Sequence, residues 1–509
     1  MKELIKWGTA AFLMTFTSNG AVGSSQHQAN KVIHYSDYGA RGDGVTDDFE
    51  AIIKAHDAAN EAGVKVCADA GATYYIGAAV KTARIQTDTD WGDAKFIIDD
   101  SKVTVENRHH HLFIISSSLP STRITTVATL KKNQQKLDLS LPHASLIEVT
   151  DTSTIRYIRW GPDENNGASQ TDVFVVDKNG LVDMKAPIIW DFDHISSMVA
   201  YPVDADTLTV SGGHFTTIAN QAEPPYRYYA RGISIMRSNV VIDGLVHAIT
   251  GEIDHGAPYS GIIVVSRCSN VTVQNSLFSG HKYYSIGTYD ISVDRGVNVT
   301  FKNCRQLNDM HDSKLWGIIG TNYSKNLMYD HVEFSRFDAH MGVANATVRN
   351  SVIGYVSMNI IGCGVFLVEN TKVCGSSFIN LRSDYGSTWE GEIIIRNCEF
   401  FPRNGARSDV VLINGRNLGQ HDFGYTCYMP SKIWIDGLVI NDSNPPDGYL
   451  GPKIFADFNR EFTDESYRQP YPYVITKEIE IKNLTVKSGK PLIISNNPFM
   501  FRNVSITER

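Results

Sequence analysis

From about residue 238 to the C-terminus one short phrase recurs: alternating apolar residues, then Asn or Gly, then a small or apolar residue. It reads Val240-Val241-Ile242-Asp243-Gly244, Val271-Thr272-Val273-Gln274-Asn275, Val299-Thr300-Phe301-Lys302-Asn303 and Leu327-Met328-Tyr329-Asp330-His331. It continues through phrases ending at Asn350, Asn370, Asn397, Gly437 and Asn483, with successive copies 19 to 46 residues apart. Apolar residues at every second position are a strand pattern. An Asn or Gly at a fixed place marks a turn that needs a left-handed or self-capped backbone. Such a unit, repeated with insertions of variable length, predicts one coil of a solenoid per phrase. A solenoid brings distant residues into register, so a surface site can be read as a column down the coils.

A solenoid of this length needs no domain boundaries within its 509 residues. Hydrophobic residues make up 42% of the chain, enough for a continuous core. The net charge of −8, with only 20% charged residues, argues against nucleic acid or an anionic membrane as partner. It leaves room for a polyanionic sugar held by a local basic cluster. The seven cysteines show no metal-ligand spacing. Cys304 and Cys398 directly follow a repeat Asn and are expected to point into the coil as buried thiols.

Lys2 and Lys6 precede an apolar stretch from Trp7 to Phe16, and Ala21-Val22-Gly23 offers small residues for cleavage. This pattern predicts a secretory signal peptide over residues 1–23, and hence a secreted or periplasmic protein, with an ordinary helix as the alternative. No later stretch reaches the length of a membrane span. After Asp48, the pattern Phe49, Ile52, Ile53 and His56 to Ala59 predicts a helix closed by Gly63, with Thr46 or Asp47 as N-cap. It would cover the apolar end of the first coil.

The run Asp37-Tyr38-Gly39-Ala40-Arg41-Gly42-Asp43-Gly44-Val45-Thr46-Asp47-Asp48 resembles the N-terminal signature of the pectate-lyase-like right-handed β-helix superfamily. That superfamily includes polysaccharide lyases, polygalacturonase-type glycosidases and tailspike proteins. The resemblance implies an all-β, right-handed parallel β-helix with an N-terminal capping helix, and it says little about the reaction. The expected organisation is a strand and capping helix over 24–63, early coils with a β-rich insertion over 64–230, and the main helix over 231–509. A separate ligand-binding module is the alternative for 64–230. The polar stretch Trp160 to Gly167 is expected to protrude from it.

Counting forward from the repeat Asn gives a column of ionisable residues. The first coil offers Glu252, Asp254 and His255; the second His281, Lys282, Tyr283 and Tyr284. The third offers Asp309, His311, Asp312 and Lys314, and the fourth Asp338 and His340. With parallel strands about 4.8 Å apart, four coils would present these groups over roughly 15 Å. Solvated loop residues are the alternative for any single member. Two flanking segments suit an acidic sugar: Tyr226 to Arg231, with Arg227 and Arg231, and Asn380 to Glu390, with Arg382, Tyr385 and Trp389. His109-His110-His111 cannot converge on a metal if extended, because adjacent strand residues point to opposite faces.

Such a column fits β-elimination on a uronate-containing polysaccharide, which needs a base, a charge stabiliser and an acid. His311 or His340 would be the base, Lys314, Lys282 or Arg382 the stabiliser, and Tyr283 or Tyr323 the acid. Calcium on Asp309, Asp312 and Asp338 is the alternative cation. Paired aspartates such as Asp312 and Asp338 would instead suit a glycoside hydrolase. However, neither the polygalacturonase set (Asn-Thr-Asp, Asp-Asp, Gly-His-Gly, Arg-x-Lys) nor the pectate lyase Arg-x-Pro-x-x-Arg occurs, so no family's catalytic residues carry across. A non-catalytic glycan-binding or tailspike-like protein is the third reading.

Overall fold

In the computed structural model each phrase is a strand, and the strands stack in parallel register. Val240 pairs with Val271, Val271 with Val299, Val299 with Leu327 and Leu327 with Ala346. The same column runs on through Phe366, Ile393, Ile433 and Ile479. Every one of these side chains is buried, because residues two apart on a strand share a face and that face closes the core. The structure describes residues 32–223, 228–254, 256–282, 287–403 and 409–508. The predicted signal peptide lies outside them.

One sheet of 23 strands carries the phrases, and a second, six-stranded parallel sheet runs from Ala83–Ile85 to Ile319–Asn322. Together they enclose a single hydrophobic core that extends along the coils. The fold is a right-handed parallel β-helix, the hand that parallel crossovers adopt. Cys304 and Cys398 point into this core, each with its Sγ on a carbonyl of the preceding coil. No helix among the described residues is long and apolar enough to cross a membrane.

The N-terminal helix spans Phe49–Ala62 and buries Phe49, Ile52, Ala55, His56 and Ala59 against the first coils. Its N-cap is Asp48, one residue later than expected. Asp47 still serves the helix start, its Oδ1 accepting from the Phe49 N–H at 3.0 Å. Asp48 turns back instead and accepts from the N–H groups of Arg41 and Gly42, tying the signature loop to the helix. Gly63, at φ 66°, ends the helix in the left-handed conformation.

A four-stranded antiparallel sheet interrupts the early coils. Its strands are Ala168–Val176, Ser145–Arg156, Ser197–Pro202 and Thr122–Arg123 in spatial order, over a core of its own. Glu148 on this sheet meets Arg267 and Arg295 on the coils, and buried Asp172 meets Lys325 at 2.7 Å. These ion pairs seat the inserted sheet on the solenoid. Residues 162–166 of the stretch Trp160 to Gly167 are exposed, as expected, and the chain leading into it is tied to the coils. The Ile158 N–H reaches the Phe423 carbonyl, and the Trp160 N–H reaches the Asp384 carbonyl at 3.0 Å.

Candidate functional site

The strand Glu333–Arg349 carries Arg336, Asp338 and His340 at every second position, with Phe337 and Ala339 between them in the core. Alternation therefore sets the three polar residues on the opposite face. In the next coils Asp338 stacks on Asn359, Asn359 on Asn380 and Asn380 on Asn414. The Asn380 amide donates to Asn359 Oδ1 at 2.7 Å, and the Asn414 amide donates to Asn380 at 2.9 Å.

Arg336 and His340 open into a cavity of about 350 Å³, with Asn359, Asn380 and Arg382 on the neighbouring coils. The connection between the strands Ser145–Arg156 and Ala168–Val176, residues 157–167, forms an inserted arm that supplies Arg159 from the far side. Arg159 Nε lies 2.8 Å from Asp384, which also receives Arg382 at 2.7 Å. Tyr228, Tyr289 and Trp316 complete the wall, and the two tyrosine rings stack 6.5 Å apart.

Three guanidinium groups thus surround one imidazole. His340 Nδ1 lies 2.8 Å from Asn322 Oδ1, so Nδ1 carries the proton and the lone pair sits on Nε2. Nε2 is buried and has no hydrogen-bond partner, and the same is true of Arg336 Nε. Burial drives the His340 pKa well below the ordinary histidine value, and the charges of Arg382, Arg336 and Arg159 push it the same way. The ring is therefore neutral at neutral pH. Asp384 is pulled the opposite way: burial favours its protonated form, but Arg382 and Arg159 outweigh burial and hold its pKa down.

The column counted from the sequence does not survive intact. Among its described members, only His340 lines this cavity. Asp338 is buried and accepts from the Thr321 N–H at 2.9 Å and from Arg336, so it orients Arg336 and is not exposed to a ligand. His311 and Lys314 are exposed on a turn whose Asp309 and Asp312 carboxylates cap its own backbone. Loop insertions of unequal length carry this turn off the cavity wall, so equal counting from the repeat Asn fails. Asp309, Asp312 and Asp338 do not share a site, and no cluster among the described residues has the donor set for a metal ion.

His281 is buried between Glu252 and Asp290, each 3.2 Å away. Its carbonyl accepts from the Trp316 N–H, so it supports the cavity wall from behind. Lys282 donates to the Glu252 carbonyl at 3.4 Å, and Asp254 is exposed. Arg231 is buried, paired with Asp100 and the carbonyls of Ala79 and Gly77, which makes it structural. Tyr323 is buried against Tyr157 and beneath Arg295, and burial raises its pKa to about 12. Tyr323 does not line the cavity. Tyr385 is buried under the arginines, with its ring 5.0 Å from that of His340. Trp389 is fully buried and bonded to the Gly364 carbonyl, so it packs the core and cannot stack on a sugar. Arg227, His255, Tyr283 and Tyr284 lie outside the described residues.

Fold and cavity together define the class: a right-handed parallel β-helix with an arginine-walled cavity under an inserted arm. No family model matches the chain. No curated protein is detectably similar either. Among solved structures the chain is similar to the tailspike gp61 of Pseudomonas phage phi297, at 13% identity and a TM-score of 0.57, covering 92% of this chain and 82% of that one. The tailspike gp49 of Pseudomonas phage LKA1 aligns at 12% identity and a TM-score of 0.49, over 94% and 84% of the two chains. The first of these similarities supports the β-helix fold that the N-terminal signature implies, and at such identity it supports the fold alone.

Proposed function

We propose that this protein is an exported lyase that cleaves a uronate-containing polysaccharide by β-elimination in the arginine-walled cavity. The observation that carries the reading is the convergence of Arg159, Arg336 and Arg382 on the neutral imidazole of His340. Buried guanidinium groups recognise a carboxylate, and they neutralise the charge that builds on it as the adjacent proton leaves. His340 Nε2 takes that proton, the bond from the ring to the leaving glycosidic oxygen breaks, and a carbon–carbon double bond forms. The phenol of Tyr289, on the same wall, supplies a proton to the leaving oxygen. The orphaned Nε2 and Arg336 Nε are then explained as groups that find their partners on the substrate.

Hydrolysis is less well supported here. It needs a carboxyl group of raised pKa as acid and a second carboxylate across the bond. The half-buried carboxylate in this cavity, Asp384, is bound by two arginines and its pKa is lowered. The other wall carboxylate, Asp163, is exposed and lies 3.3 Å from Arg159.

The test is incubation with glycosaminoglycans, pectins and alginate, reading both new reducing ends and the ultraviolet band of an unsaturated uronate. Elimination produces both signals. The His340→Gln variant is expected to lose about a hundredfold or more in turnover with melting unchanged. Reducing ends without the ultraviolet band would replace elimination by hydrolysis, and full activity in the variant would remove His340 from the mechanism.

A further inference from the structure

The inserted arm has a second face. Arg156 and Tyr157, just before Arg159, line a separate cavity of about 310 Å³ between the inserted sheet and the coils. Tyr385 lies between the two cavities: its ring faces Arg159 and Arg382, while its carbonyl accepts from Tyr425 on the second cavity's wall.

This second cavity has a different chemistry. The Tyr425 ring lies 5.2 Å from that of Tyr157 and 6.3 Å from that of Trp190, so three aromatic side chains form one wall. Gly342 and Gly362 also line the cavity, where close packing against neighbouring residues leaves no room for a side chain. A Cβ at Gly362 would fall 2.0 Å from the Val343 carbonyl oxygen, and one at Gly342 would fall 2.8 Å from the Tyr323 ring. The charged groups on the walls are already engaged. Lys132 pairs with Glu390 at 2.7 Å, Asp191 accepts the Lys132 N–H, and Arg156 stacks over Trp190 and donates to Gln170. Their signs balance, leaving no surplus charge for an anion. Trp190 Nε1, in contrast, is buried with no hydrogen-bond partner. Tyr157 sits at φ 56°, a conformation uncommon for a bulky residue and one that collects at ligand sites.

We propose that this cavity is a second saccharide site, which takes an uncharged pyranose. Aromatic side chains suit the C–H face of such a ring, and the unpartnered Trp190 N–H and the hydroxyls of Thr388 and Thr426 belong to the same lining. The proposal stands independently of the elimination chemistry next door.

The test is titration of the full chain with glucose, galactose and N-acetylglucosamine, followed by calorimetry and tryptophan fluorescence. At least one sugar is expected to bind, with affinity reduced about tenfold or more in Trp190→Ala and in Thr426→Trp. Thr426 lines the cavity, and its replacement fills the space without removing the wall. The melting temperature of Thr426→Trp confirms that the fold is kept, and His340→Gln is expected to bind the sugar as the wild type does. Binding by none of the three sugars, or undiminished binding in Thr426→Trp, overturns the proposal.

Discussion

His340 is a base only while it is neutral, and its surroundings keep it neutral to unusually low pH. Burial first, and then Arg382, Arg336 and Arg159, disfavour the imidazolium. The acid limb of kcat/KM is therefore expected well below the ordinary histidine value of 6.5. Replacing Arg382 by Gln removes one of those charges, so the imidazole pKa rises and the limb moves to higher pH. The same change raises KM for an acidic substrate. A pH profile of Arg382→Gln superimposable on the wild type would show that this guanidinium does not act on His340. The sequence made His340 and Arg382 visible, one by counting and one by composition. Arg336 was legible too, since Arg336, Asp338 and His340 alternate on a strand whose other face is Phe337 and Ala339, although counting along the loops does not reach it. Arg159 carried no such signal. Its partner Asp384 is 225 residues away, and only the docking of the inserted sheet brings the two together.

At the scale of the coil, the turns are held by ladders of left-handed asparagines. The ladder after each strand was plain in the sequence: Asn275, Asn303, Asn350 and Asn370 all have positive φ. A second ladder precedes the strands, with Asn298 donating to Asn270 at 2.9 Å and receiving Asn326 at 2.8 Å. Its signal was an Asn just before each of the first five apolar phrases, as in Asn239-Val240 and Asn270-Val271. Asn298→Gly keeps the φ of 58° accessible and loses only ladder bonds, a cost of about 1 kcal/mol. Asn298→Ala adds backbone strain and is expected to cost about 2–3 kcal/mol. Denaturant unfolding separates the two, and equal losses would mean that the left-handed turn is not what the asparagine supplies. The buried His281 gives a pH signature of its own. Burial alone would lower its pKa, but Asp290 and Glu252 outweigh burial and raise it to about 9. Because the folded pKa lies above the unfolded value of 6.5, the contribution to stability is complete below pH 6.5 and disappears as pH rises through 9. His281→Gln is expected to flatten the fall in melting temperature across that window, and an unchanged slope would assign the dependence to other groups.

For the molecule as a whole, the solenoid was legible because one phrase per coil repeats the same physical constraint: apolar side chains inward and a left-handed turn at the end. Nine phrases read from the sequence stack in one continuous parallel column. The cavity was less legible because its walls come from elements of unequal loop length and from an inserted sheet with a core of its own. The central claim is that the arm and the coils together build a receptor for a carboxylate. Its most direct test is the crystal structure of His340→Gln with an acidic oligosaccharide. The claim predicts a uronate carboxylate held by Arg336 and Arg382, with the adjacent C–H toward residue 340. An oligosaccharide bound elsewhere on the solenoid, with these guanidinium groups untouched, would contradict it.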